Sequence, residues 1–296
     1  MDLNIKTDLK HELPVIEDAG DAYAYRPAAS LFVPLLARTI ITPNQVTAVS
    51  LIIGLVGVIL LSIPSYAWRL TGSLVLQFSI IVDCMDGQLA RLKKMTSDWG
   101  DIFDHTTDDF KLLILTVIIV GECSRSMPAV ISAVVVICAL GAVLCMVTSQ
   151  YFYCDEYNSI RSGHGANELL KHIEKVKMMY LKRTWRTDFF PKILLSYYIF
   201  RLRLIKLFIR LSNSHRTREE FWSGPIDQSE YFRYQKNTLY LWQFMGFSVI
   251  SFLMTFFVLF GRLDLFPFMC VCTFPLFIIV LLLQRRSDRL FLLTRR

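Results

Sequence analysis

The chain has 296 residues, 54% of them apolar and 19% charged, with a net charge of +7. A soluble domain is about 45–50% apolar and about 25% charged, so the composition excludes an ordinary soluble domain and points to a membrane protein. The positive charge suits nucleic acid or an anionic membrane surface. The basic residues flank apolar runs, so the membrane reading holds and no nucleic-acid partner is expected.

The opening Met1-Asp2-Leu3-Asn4-Ile5-Lys6 is polar and mixed in charge, and no cleaved signal peptide is expected. Residues 1–26 read as a tail, and 27–42 as an interfacial helix: Ala28 to Ile41 is apolar but short and broken by Pro34 and Arg38. A span needs about 20 apolar residues. Six candidates follow: Pro43–Ile63, Trp68–Lys94, Asp98–Val120, Ala129–Phe152, Leu239–Phe260 and Leu265–Leu283. The first four fall in 43–154 and the last two in 237–285. Between them lies a basic insertion, 155–236, and after them a basic tail, 286–296. In the insertion, Leu169, Leu170, Ile173, Val176 and Tyr180 share one helix face. The apolar Pro191–Leu211 carries Arg201, Arg203, Lys206 and Arg210, which suits a helix lying on the membrane surface with its cations on lipid phosphates. The loops after spans one, three and five are almost free of Lys and Arg, whereas Arg91, Lys93, Lys94, the insertion and the C-terminus are basic. The positive-inside rule then makes both termini and the loop after span two cytoplasmic. The fold class is an all-α integral membrane protein with six transmembrane helices, an N-terminal interfacial helix and a cytoplasmic helical insertion. The seven cysteines lack disulfide or zinc spacing.

Ionisable groups inside spans are costly and mark function. Spans two and three carry Asp83 and Asp86, then Asp104 and Asp108, near one membrane face. The i,i+3 and i,i+4 spacings put each pair on one side of its helix. A short loop makes the two helices antiparallel neighbours, so the four carboxylates converge. They cannot all stay ionised at close range in a dry site. Either protons or hard divalent cations must neutralise them, and an all-oxygen ligand set suits Mg2+ or Mn2+. Two such ions about 3.5–4 Å apart can clamp a pyrophosphate. Gly87, Ala90 and Gly100 leave room for a nucleotide near the backbone, although the glycines could equally serve helix packing. Arg91, one turn from Gly87, offers a planar fork for phosphate, or snorkels, or pairs with an aspartate. Asp98 reads as a helix cap with Ser97, and Asp101 and Asp109 lie off the Asp104–Asp108 face. His105 reads as a packing residue or as a support behind the site aspartates, His164 as a loop histidine, and Arg161 as part of the basic collar or a contact for an acidic acceptor.

The pattern D-x-x-D-G-x-x-A-R-x8-G-x3-D-x3-D, met at Asp83, Asp86, Gly87, Ala90, Arg91, Gly100, Asp104 and Asp108, resembles the signature of the CDP-alcohol phosphotransferase family. So does Thr42-Pro43-Asn44-Gln45-Val46-Thr47 at the start of span one. The resemblance covers roughly Arg26 to Tyr153 and implies metal binding by Asp83, Asp86, Asp104 and Asp108, with Asp108 also the general base. It implies a CDP site lined by Gly87, Ala90, Arg91 and Gly100, with Asn44 and Thr47 as further nucleotide contacts. The implied reaction moves a phosphoalcohol from a CDP-linked donor, CDP-diacylglycerol or a small CDP-alcohol, to a hydroxyl acceptor among membrane lipids or small polar molecules. Two Mg2+ or Mn2+ ions and a homodimer belong to the same expectation. A cation transporter would instead spread its carboxylates through the bundle depth. For a membrane protein that binds nucleic acid or a partner through the basic insertion, the aromatic and aliphatic content of that insertion reads as membrane-facing instead.

Overall fold

The computed structural model describes residues 13–163, 168–185, 187–213 and 226–294, and these form helices and connecting turns with no strand among them. His164 and the extreme termini lie outside the described residues, as do the side chains of Leu169 and Leu170. A π-helical turn, Asp21–Tyr25, leads into α1 (Arg26–Ala37). Its Ala29 and Val33 are buried against α3, while Leu31, Phe32 and Leu35 face outward.

The α2 helix (Pro43–Ser62) begins with a capping box between Thr42 and Gln45 and with Pro43 in its first turn. It pairs along its length with α3 (Tyr66–Lys93). At Gly57 and Gly72 the two backbones touch: a Cβ on Gly72 would lie 2.7 Å from the Gly57 carbonyl oxygen and 2.7 Å from the Leu61 nitrogen. Lys94, left-handed at φ 55°, ends α3. Ser97 then caps α4 (Asp98–Cys123) by accepting from the Gly100 N–H at 3.1 Å, so the predicted cap is Ser97 alone. Asp98 pairs instead with Lys175 at 2.6 Å.

The α5 helix (Ala129–Arg161) runs beyond the predicted end at Phe152. The buried stripe Tyr153, Tyr157 and Ile160 keeps it helical into the stretch read as insertion. The insertion itself forms a hairpin of α6 (Glu168–Leu181) and α7 (Phe189–Ser212), packed on the start of α4 through Ile102, Val176, Leu195 and Tyr198. The basic face splits. Arg201 turns inward to Asp109 at 2.8 Å, whereas Arg203, Lys206 and Arg210 stay exposed beside Leu204, Leu207 and Leu211.

The predicted fifth span is broken. Its residues divide between α8 (Gln228–Trp242), a tight turn Gln243–Met245, and α9 (Phe247–Leu259), with a bend of 42°. The cause is visible at Gly246, in an extended conformation, where a Cβ would overlap the Asp18 carboxylate. The last stretch, Leu263–Thr294, contains α10 (Phe266–Cys272) and α11 (Phe274–Thr294). Four stretches are long and apolar enough to cross a membrane: α2, α3, α5 and Leu263–Thr294, with α8–α9 as a fifth if the bent pair is one span. The α4 helix is not among them, because its N-terminal half is acidic.

Residues 14–21 form a strap across the bundle. Asn158 on α5 holds Ile16 from both sides, accepting from its N–H at 3.2 Å and donating to its carbonyl at 2.7 Å. Tyr157 donates to the Pro14 carbonyl at 2.9 Å. Asp18 accepts from the Gly20 N–H at 2.8 Å and from the Ser248 N–H at the start of α9 at 3.0 Å. Burial, aided by the negative charge of Asp21, pushes the Asp18 carboxyl up to about 7, against the pull of the N–H donors. A carboxyl raised on folding stabilises most below its ordinary value of 3.8 and loses that contribution as pH rises through about 7. Strap docking is therefore expected to loosen from about pH 4 to about pH 7 and to change little above that, read as faster amide exchange over 14–21 after correction for intrinsic rates. Asp18→Asn should flatten that dependence; an equally steep profile in the variant would refute the assignment.

A second buried network closes the other flank. Asp288 on α11, fully buried, accepts from Gln235 at 2.7 Å, Gln284 at 3.0 Å and Asn213 at 2.6 Å. It ties the end of α7 to α8 and α11, and buried carboxylates persist when so satisfied.

Candidate active site: a carboxylate cluster at the head of three helices

Three helices deliver the site. On α2 the residues Asn44, Thr47, Ser50 and Gly54 recur at helical spacing and face α3 and α4. On α3 the same periodicity presents Asp83, Asp86, Gly87, Ala90 and Arg91, and on α4 Gly100, Asp104, Asp108 and Lys111. The backbone contact at Gly57 and Gly72 lets short side chains span α2 and α3: Ser50 donates to Asp83 Oδ1 at 2.7 Å, and Thr47 donates to Asp86 Oδ2.

Of the four predicted ligands, Asp83, Asp104 and Asp108 have carboxylate oxygens within 4.8 Å of one another. Asp86 is buried beside them on the Thr47 hydroxyl. Lys111, with its side chain 8% exposed, lies 2.6 Å from Asp108 Oδ1 and 3.4 Å from Asp83 Oδ1. One lysine cannot balance this many carboxylates. Asp104 Oδ1 is buried with no hydrogen-bond partner among the described residues. An orphaned buried acceptor costs about 1–3 kcal/mol, and it is the atom a divalent cation would satisfy. The donor set is oxygen only, which fits a hard ion such as Mg2+ or Mn2+.

The predicted nucleotide residues flank the aspartates along α2, α3 and the start of α4, with Thr47 buried on Asp86. A Cβ on Gly87 would meet nothing nearer than the Arg91 guanidinium at 3.9 Å, so that glycine faces open space and is not spent on helix packing. Gly100 is pinched: its Cβ would come 3.2 Å from Ser97 Oγ and 3.3 Å from Asn44 Oδ1. Arg91 and Asn44 are exposed and Ala90 is half-buried, and no ion pair joins Arg91 to the aspartates among the described residues.

A cavity of about 650 Å³ opens on the cluster. Asp83, Asp108 and Lys111 form one wall, and Asp18 and Asp21 of the strap with Arg26 at the start of α1 form another. His105 also lines this cavity, with its ring nitrogen 3.3 Å from the Tyr151 hydroxyl. Asp109 is held by Arg201 and by Tyr197 at 2.8 Å, off the cluster as predicted. Arg161 reaches back to the Leu13 carbonyl at 3.4 Å.

Sequence reasoning missed Ser50, Lys111 and the strap. Ser50 and Lys111 each lie three residues beyond a site residue, and a lysine inside an apolar helix is itself a signal. The strap has no periodicity to announce it.

No curated protein matches the chain. The sequence pattern that defines CDP-alcohol phosphatidyltransferases matches residues 40–202, from the start of α2 into α7 and over more than half of the 296 residues. With the aspartates of α3 and α4 inside that match, the chain belongs to the CDP-alcohol phosphatidyltransferase family.

Proposed function

We propose that the cluster on α3 and α4 is the catalytic centre of a membrane transferase that moves a phosphoalcohol from a CDP-linked donor to a hydroxyl acceptor and releases CMP. The reaction class comes from the family, which performs this transfer in lipid synthesis. The observation that carries the assignment to these residues is the convergence of Asp83, Asp104 and Asp108 within 4.8 Å, with an orphaned Asp104 oxygen, beside a large cavity that Asp83 and Asp108 line.

Asp83, Asp86, Asp104 and Asp108 would hold divalent ions, two by our reading, and Mg2+ or Mn2+ fits their oxygens. Bound there, the ions would neutralise the donor pyrophosphate and the charge that builds up in transfer. The chain does the rest. Gly87 leaves the nucleotide room to approach α3, and Ala90, Arg91, Gly100, Asn44 and Thr47 frame its seat. The exposed Arg91 is placed to meet a phosphate oxygen. Asp108 takes the proton of the acceptor hydroxyl. The acceptor oxygen then bonds to the β-phosphorus, the bond to the CMP oxygen breaks, and CMP leaves with the pair of electrons. No covalent enzyme intermediate is required.

We read the topology as six spans, with α4 crossing alongside α3 despite its acidic first half and α8–α9 as one bent crossing. The scarcity of Lys and Arg in alternate loops supports a cytoplasmic side for the cluster and both termini. On that topology α1 lies in the interface, and the exposed Arg203, Lys206 and Arg210 of α7 reach lipid phosphates. A homodimer belongs to the same reading. Purified protein given CDP-linked donors with Mg2+ or Mn2+ should release CMP, and mass spectrometry of the lipid products identifies the donor and acceptor. Folded protein that releases none across a panel containing both CDP-diacylglycerol and small CDP-alcohols would overturn the assignment.

A further inference from the structure

Lys111 is an unexpected neighbour for a divalent-ion site. Its ammonium is delivered into the cluster by the fold: it follows Asp108 by one turn of α4, yet also reaches Asp83 on α3. The space for its stem is made by α2. A Cβ on Gly54 would fall 2.8 Å from Lys111 Cδ and 3.2 Å from Ser79 Oγ, so any larger residue at position 54 would push the lysine out. Its side chain is 8% exposed, so the cation has left water for these two carboxylates. It sits on oxygens of Asp83 and Asp108, two of the three residues whose carboxylates gather within 4.8 Å, and leaves Asp104 Oδ1 without a partner.

We propose that Lys111 is a tethered counter-ion that competes with the divalent ion for Asp83 and Asp108 and so sets the affinity of the site. This rests on the reading of the aspartates as a divalent-ion site. Physically, the four carboxylates would carry up to four negative charges when ionised, and Lys111 offsets one of them. Without any neutralising charge the carboxylates would repel and α3 and α4 would splay. The lysine holds them converged before an ion arrives. For an ion to bond Asp83 Oδ1 or Asp108 Oδ1, the ammonium must yield that oxygen, and its charge continues to oppose the ion at close range. Lys111 is thus a positioning residue: it acts on the ligands of the ion and needs no contact with the reacting phosphorus.

The test is Mn2+ binding by the full chain in detergent micelles, followed through the spin resonance of free Mn2+ and needing no turnover. Lys111→Met, close in length and uncharged, is expected to bind Mn2+ at least about tenfold more tightly than wild type, while its ion-free form melts at a lower temperature. A purely structural lysine would lower the melting temperature and leave the affinity unchanged or weaker, and that result overturns the proposal. A second measurement uses wild-type protein, in case the variant does not fold. Acylation of Lys111 by an amine-reactive reagent, read by mass spectrometry, should rise when Mn2+ is added, because the ammonium is released from its carboxylates. Unchanged or reduced labelling at saturating Mn2+ also overturns it. If wild-type protein binds no Mn2+ at all, the divalent-ion site itself falls; if it binds Mn2+ and Lys111→Met binds it equally, the inference about Lys111 alone falls.

Discussion

Asp108→Asn is expected to lower the transfer rate by about a thousandfold, within the range that general base catalysis supplies, while some CDP binding is retained because three ligand aspartates remain. The substitution is nearly isosteric. Lys111 keeps Asp83 as a partner at 3.4 Å, and Ser50 still holds Asp83 at 2.7 Å, so the helix heads stay assembled. What disappears is the proton acceptor nearest the open side of the cluster, since the Asp108 side chain is 38% exposed whereas that of Asp83 is 20% exposed. Single-turnover transfer from a radiolabelled CDP donor, set beside equilibrium CDP binding, separates the two effects. A variant that transfers within about tenfold of wild type would remove Asp108 from the base role. Asp83→Asn gives the contrast: it should weaken ion and nucleotide binding together.

The second large effect is expected far from the chemistry. Gly72→Val should destabilise the protein by about 1–3 kcal/mol or more, the range for overpacking a tight interface, and should reduce activity with it. At Gly72 the obstacles are the Gly57 carbonyl oxygen and the Leu61 nitrogen, each 2.7 Å from the new Cβ, and backbone cannot rotate aside as a side chain could. The helices must separate, and the bonds from Thr47 and Ser50 to the aspartates of α3 depend on their closeness. Gly121→Ala and Gly141→Ala serve as controls, because nothing lies within 4 Å of either Cβ position and alanine favours a helix. Thermal melts of the detergent-solubilised chain read both. Equal melting of the Gly72 variant and the controls would show that the contact is not limiting.

Much of the site was legible because the chemistry is written at helical spacing within one hairpin. Asp83 with Asp86, and Asp104 with Asp108, state their own geometry, and the short link at Met95 to Ser97 fixes that the two faces meet. Lys111 was equally readable as a charge in an apolar helix, but its partner on α3 is 28 positions away and no local rule pairs them. The insertion shows the same limit. Its cations suggest a membrane surface when that segment is read alone, yet Lys175 and Arg201 are matched to Asp98 and Asp109, and Arg183 stacks over Trp99 at 4.2 Å. The break at Gly246 was hidden because hydropathy is continuous through it; only the carboxylate of Asp18, from the far end of the chain, explains why glycine is required there.

That last contact bears on how the molecule is made. The strap and its anchor at Ser248 are 230 positions apart, whereas the aspartates and their α2 partners lie within 39 positions or fewer. Short-range pairings form early and long-range ones late, and a chain leaves the ribosome from its N-terminus at about 5–20 residues per second. The carboxylate hairpin can therefore assemble while α9 is still being synthesised, and α5 can already hold Pro14 and Ile16, but the strap's Asp18 has no anchor until Ser248 has been made. A nascent chain stopped before α9 would hold every motif aspartate yet lack Phe247 and Ser248, so the last piece of the cavity wall and the Asp18 anchor arrive together and late.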